Sequence, residues 1–173
     1  MDLRINDRIL LQPGKFYAIV APSEIILAGL NDNPIFQRYT SVLICGNYSR
    51  LVNGFNRVSM NFNIRRAFTV HSLMTILQEN FHSIVILEHD SSMYDDAGEV
   101  KRVIPHAMKD VSRDSIFVLY APKMDRHFAY LAHTADHLIS YENMNDAITP
   151  IVRNYSKSKN RNNGLPNSQK TLL

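Results

Sequence analysis

Apolar residues in this chain fall in short unbroken runs rather than in strict alternation. The clearest are Phe16 to Val20, Ile84 to Leu87, and the runs Val42 to Cys45 and Ile116 to Tyr120 within the strands predicted over Tyr39 to Cys45 and Ser115 to Tyr120. A short apolar run without alternation predicts a strand buried on both faces, the kind found at the centre of parallel sheets. Between these runs the apolar spacing turns helical. Val70, Leu73, Met74 and Leu77 recur on one helical face behind Thr69, a suitable N-cap. Val100, Val103, Ile104, Met108 and Val111 predict a helix between Glu99 and Ser112, which Pro105 must kink or divide. Asp125 to His133 predicts another, with Phe128, Leu131 and Ala132 inward.

Turn chemistry separates these pieces. Gln12-Pro13-Gly14 launches the first strand and Ala21-Pro22-Ser23 breaks it. Ser23 is read as the cap of a helix over Glu24 to Leu30, with an acid in the first turn, and Asn31 to Pro34 ends it. Phe62 to Ile64 is a short extended piece and His137 to Tyr141 a short strand. Ile148 to Tyr155 is a last strand, placed near an edge by Pro150. Strands alternating with helices through short connections predict an α/β fold: a mostly parallel central sheet with helices on both faces.

At 173 residues the chain is one domain, with 45% apolar and 20% charged residues. No apolar run reaches the length of a membrane span, the N-terminus MDLRINDRIL lacks the apolar core of a secretion signal, and a cytoplasmic location is expected. The one cysteine, Cys45, excludes an intrachain disulfide framework and reads as a small core residue. Charge is unevenly distributed. Residues 1–150 hold sixteen acids against fourteen Lys and Arg, whereas residues 151–173 hold five cations and no acid. Residues 1–156 are therefore read as the domain and 157–173 as a basic, disordered tail, suited to a polyanion or acidic partner or serving only solubility.

The candidate chemistry centres on Glu88, at the carboxyl end of the run Ile84 to Leu87, where open α/β sheets place their ligands. The plain alternative is a solvated acid at a sheet edge. Glu88, His89, Asp90, Asp95, Asp96 and Glu99 form an acidic cluster that reads either as a metal site of its own or as a solvated turn leading into a helix. The histidines His71, His82, His106, His127, His133 and His137 share no ligand spacing. Arg65 and Arg66, flanked by Phe62 and Phe68, interleave basic and aromatic residues as single-strand binders do, and Asn47 to Arg57 is a second candidate DNA-facing loop through Arg50 and Arg57.

Five segments, in order, resemble the ATPase core of the RecA superfamily, in its archaeal RadA/RadB and KaiC-like branch. They are LQPGKFYAIVAPS, FNIRRAFTVHSLMTIL, SIVILEHD, DSIFVLYAPKMDRHFAYLAHTADHLISYE and TPIVRNYSKSKNR, spanning residues 9 to 161. The resemblance implies a P-loop NTPase fold, with Glu88 and Asp90 at the magnesium-site strand. It also implies that Lys157, Lys159 and Arg161 lie in a basic segment that reaches a neighbouring subunit's nucleotide. The phosphate loop departs from the family. A cradle needs glycines so that amides can converge, a lysine for the phosphate charge and a hydroxyl for Mg²⁺. Ala21, Pro22, Ser23 and Glu24, followed by Ile25 to Ala28, supply no glycine and no lysine. Pro22 removes a donor, and Glu24 puts a carboxylate where phosphates would lie, a repulsion of ~4 kcal/mol at ~4 Å near a protein surface.

The expectation is a non-hydrolysing RecA-like paralogue, accessory to DNA recombination or repair. It would bind a partner recombinase, a copy of itself, single-stranded DNA, or a combination of these, with no cofactor and no membrane. The alternative is an ATP- and Mg²⁺-dependent enzyme or phosphoesterase that uses Glu88 as its metal acid.

Overall fold

A computed structural model describes residues 1–154 except 8, 32, 56–60, 96, 145 and 146, with side chains described as far as Tyr141. The chain opens with an antiparallel pair, β1 (Leu3–Asn6) and β2 (Ile9–Leu11). Next come β3 (Lys15–Val20), α1 (Ser23–Asn31), α2 (Pro34–Arg38), β4 (Ser41–Cys45) and β5 (Phe62–Arg66). They are followed by α3 (Val70–Gln78), β6 (Ile84–Glu88), α4 (Ile104–Val111), β7 (Ile116–Ala121) and α5 (Arg126–Ala132). The last strands are β8 (His137–Met144) and β9 (Ala147–Asn154). Two 3₁₀ turns, Ser91–Tyr94 and Gly98–Arg102, link β6 to α4.

The main sheet has the order β5-β4-β6-β7-β3-β8-β9. The six strands from β5 to β8 are parallel, and β9 closes the edge antiparallel to β8. This is an α/β fold with a parallel core. Both β6 and β7 lie between β4 and β3. The order therefore differs from the dinucleotide-binding sheet, in which the second strand adjoins the first.

Period-two alternation sends each central strand's side chains to two separate cores. Phe16, Ala18, Val85, Leu87, Phe117 and Leu119 pack under α3, α4 and α5. Tyr17, Ile19, Ile84, Ile86, Ile116 and Val118 pack under α1, α2 and the β1–β2 pair. Because both faces are covered, the strands read as continuous apolar runs, and Cys45 lies fully buried among them. Each such buried side chain contributes about 1.5–3 kcal/mol relative to exposure.

Element ends follow local chemistry. Thr69 caps α3, accepting from the Ser72 N–H, while the Ser72 side chain returns a bond to the Thr69 backbone. Asp125 caps α5 by accepting from the Phe128 N–H at 2.7 Å. Pro105 stands in the first turn of α4, where its missing donor is not needed, so the Glu99-to-Ser112 span divides into a 3₁₀ turn and a helix. Ser23 is not a cap but the first residue of α1, its hydroxyl donating to Glu24 at 3.2 Å. Gly29 lets α1 lie against β1, since a Cβ there would come within 2.4 Å of the Ile5 carbonyl oxygen.

Candidate functional site at the carboxyl edge of the sheet

Because the central strands are parallel, the carboxyl ends of β3, β4, β6 and β7 meet on one edge. Neighbouring residues of one strand serve opposite faces there. Glu88 joins the α1 side and His89 the α3–α5 side, so the edge carries two polar clusters, one per face.

On the first face Glu88 is buried, 5% exposed. Its carboxylate accepts the Ser49 hydroxyl on one oxygen and the Arg50 backbone N–H, at 2.8 Å, on the other. Ser49 Oγ also accepts from the Val52 N–H at 3.0 Å. Leu51, Val52 and Phe55 of the same segment are buried in the core beside α1. Glu88 thus clamps the segment after β4 onto the end of β6. A buried carboxylate without such donors would carry a large desolvation cost. Tyr120, paired with Glu88 across β6 and β7, donates to the Ala21 carbonyl at 3.2 Å. Burial, and then the Glu88 charge, push its phenol up to about 12.

The connection from β3 to α1 is two residues long, Ala21 and Pro22. The Ala21 amide is spent on the Ala121 carbonyl at 3.1 Å, and Pro22 has no amide to give. The Ile25 amide is turned back onto the Pro22 carbonyl at 3.2 Å. What stays open at the start of α1 is the Ser23 and Glu24 backbone, beside the Glu24 carboxylate. Such a connection forms no concave set of convergent amides.

On the second face His89 has a side chain only 4% exposed. Its Nε2–H donates to Asp125 at 2.8 Å, which ties the end of β6 to the start of α5. The ring stacks on Tyr94 at 5.6 Å and meets Phe128 edge-on at 5.6 Å. His127 meets Tyr94 edge-on at 5.8 Å. Burial lowers the His89 pKa against the pull of Asp125. Burial alone would raise the Asp125 carboxyl, but the Phe128 amide and then His89 outweigh it and hold it below the usual carboxylate range. Burial also pushes the Tyr94 phenol upward. Nδ1 of His89, the Tyr94 hydroxyl and Nδ1 of His127 are buried without a partner among the described residues.

The other residues singled out from the sequence are scattered. Asp90 caps the 3₁₀ turn after β6, accepting from the Ser92 N–H at 3.1 Å and the Ser92 hydroxyl at 2.7 Å. It packs so closely on Gly46 that a Cβ there would lie 2.1 Å from its Oδ2. Arg50 is exposed beside the Glu88 clamp. Arg65 pairs with Glu79 at 3.1 Å. Arg66 donates to the carbonyls of Gly46 and Asn47 at 2.6 and 3.1 Å, fixing the turn after β4. Asp95 is exposed, and Glu99 pairs with Arg102 at 2.9 Å. Arg57, Asp96, Lys157, Lys159 and Arg161 lie outside the described residues. Among the described residues, no three His, Cys, Asp or Glu side chains converge as metal ligands, and no helix is long and apolar enough to cross a membrane.

Two features escaped the sequence reading. The Glu88 clamp joins residues 38 and 39 positions apart, and nothing local to Ser49 or Arg50 marks it. The His89–Asp125 bond spans 36 positions, although a histidine and a capping aspartate, each just beyond a central strand, were signals that could have been paired.

No family model matches the chain. An archaeal relative does. An uncharacterized protein of Archaeoglobus fulgidus is 31% identical over 130 residues, which cover 75% of this chain and 66% of that protein. The chain thus spans just under two thirds of the relative's length.

Proposed function

We propose that the chain is a RecA-like paralogue that hydrolyses no nucleotide and acts as an accessory protein in DNA recombination or repair. It binds a recombinase-type partner, single-stranded DNA, or both. The observation that carries this reading is the two-residue connection between β3 and α1. A triphosphate needs a nest of amides and a cation at this point of the fold; here the Ala21 and Ile25 amides are bonded within the chain, Pro22 has none, and a carboxylate stands at the helix start. The parallel core, with an acid at the carboxyl end of a central strand, supports the RecA-like part of the reading. This reading assigns DNA contact to Arg50, exposed beside the first polar cluster, and to Arg65 and Arg66 on the edge strand β5, where Arg65 also pairs with Glu79 and Arg66 with the carbonyls of Gly46 and Asn47. The basic stretch from Lys157 to Arg161 is the further element assigned to a partner or to DNA.

The alternative of an ATPase or phosphoesterase centred on Glu88 is weakened because each carboxylate oxygen already accepts a bond, from Ser49 and from the Arg50 amide. A metal there would compete with donors that hold a buried segment.

Two assays on the full chain test the proposal. Phosphate release from ATP with Mg²⁺, with and without single-stranded DNA, is expected to stay at the buffer level. Fluorescence polarisation with a labelled oligothymidylate is expected to show salt-sensitive binding that weakens in Arg50→Ala/Arg65→Ala. Turnover abolished by Glu88→Gln would establish the enzyme instead.

A further inference from the structure

On the α3–α5 face, next to the His89–Asp125 pair, a cavity of about 450 Å³ opens between the 3₁₀ turn Gly98–Arg102 and the first turns of α5. Its walls carry Lys101, Arg102, Arg126, His127 and Tyr130, against one acid, Glu99. That acid is spent on Arg102 at 2.9 Å. The Lys101 ammonium sits 6.0 Å over the Tyr130 ring. Arg126 is exposed and has no acidic partner among the described residues. The cavity therefore holds two cations without a carboxylate between them, an arrangement that an anion would relieve.

The remaining walls fit a ring-bearing anion. Tyr130 is 38% exposed, and the His127 ring is held edge-on to Tyr94 with Nδ1 buried and unpartnered among the described residues. The cavity is of small-ligand size and lies beyond the carboxyl ends of β6 and β7, where open α/β sheets bind ligands. Its geometry is braced: His89 holds Asp125, Asp125 caps α5, and this sets the positions of Arg126 and His127.

We propose that this cavity binds a nucleotide through its phosphate. Arg126 offers the forked guanidinium, Lys101 the point charge, and Tyr130 and His127 the surfaces for a base. The same chemistry is presented by a free mononucleotide and by one unit of a single-stranded nucleic acid. The site is separate from the β3–α1 connection, on the opposite face of the sheet, and needs no Mg²⁺.

The test uses the full chain with two probes, adenosine monophosphate by calorimetry and a fluorescein-labelled oligothymidylate by polarisation. The Lys101→Ala/Arg126→Ala variant is expected to lose about tenfold or more in affinity for the probe the site takes, with an unchanged thermal midpoint. Arg126→Lys, which keeps charge but not the fork, is expected to lose less. Loss confined to the monophosphate assigns the site to free nucleotide. Loss of oligonucleotide affinity, with a shallower salt dependence, assigns it to the polymer. Wild-type affinity of the double variant for both probes, or no binding of either probe by the wild-type chain, overturns the proposal. Oligonucleotide binding lost only in Arg50→Ala/Arg65→Ala would leave the accessory-protein reading standing and remove the polymer from this cavity.

Discussion

A carboxylate at the end of a central strand serves a ligand or the fold according to who occupies its oxygens. In Glu88 both are occupied from within, by Ser49 and the Arg50 amide. Glu88→Ala leaves two donors without an acceptor and is expected to cost about 3 kcal/mol, read from the urea midpoint. Glu88→Gln keeps one acceptor and is expected to cost about 1 kcal/mol. Equal stability of all three proteins would remove the clamp. Histidine sets the upper part of the pH dependence. His82 is buried, with Nε2 facing the Asn63 amide at 2.9 Å and Nδ1 facing Asn80 Oδ1 at 3.2 Å. Burial, then Arg65, lower its pKa, and burial lowers that of His89. Both favour the neutral ring in the folded state. Their contribution is full above the unfolded value of 6.5 and is lost as pH falls through the lower folded values. Asp125 and Asp136 also have lowered values; for Asp136, the Lys109 ammonium at 2.6 Å and the Phe16 amide at 2.8 Å outweigh burial. Their contribution is present above the unfolded value of 3.8 and disappears below it. The thermal midpoint is therefore expected to fall in two stages on acidification. His82→Gln should reduce the first stage and leave the second, and a single-stage decline unchanged in that variant would contradict this assignment.

At the scale of elements, two contacts set the placement of helices. Thr69→Ala removes the N-cap of α3 and is expected to cost about 1 kcal/mol. Gly29→Ala forces a Cβ against the Ile5 backbone, where no side chain can give way, and is expected to cost about 1–3 kcal/mol by pushing α1 off β1. Hydrogen exchange should then quicken in β1 and β2 before it does in β6. These elements were unequally legible. The α3 cap was readable because Thr69 stands directly before a helical apolar face. The central strands were readable because burial on both sides confines their polar residues, Lys15, Ser41 and Glu88, to the strand ends. The β1–β2 pair was missed because each strand is too short for its period to stand out: Leu3 and Ile5 alternate with polar residues, but Ile9 and Leu11 flank the exposed, apolar Leu10. The short helix α2 was missed because Asn33 and Pro34, which cap and start it, follow so closely on Asn31 at the end of α1 that they read only as its stop.

For the molecule as a whole, the sequence placed Glu88 at the carboxyl end of a central strand, where the structure has it, but could not say which groups surround it. The order of strands along the chain does not state that β7 inserts between β3 and β6, and that insertion sets Tyr120 beside Glu88. Nor does a lysine at 101 announce an arginine at 126. The functional account rests on a backbone feature, the short β3–α1 connection, more than on any side chain. The most direct measurement is an amide NMR titration of the full chain with Mg²⁺-ATP. The amides of Ala21 and of Ser23 to Leu27 are predicted to stay where they are at saturating nucleotide, any movement being confined to residues 98–102 and 126–130. Saturable, Mg²⁺-dependent shifts at Ala21 to Leu27 would contradict the account, since they would place a triphosphate where this chain is held to have no cradle for one.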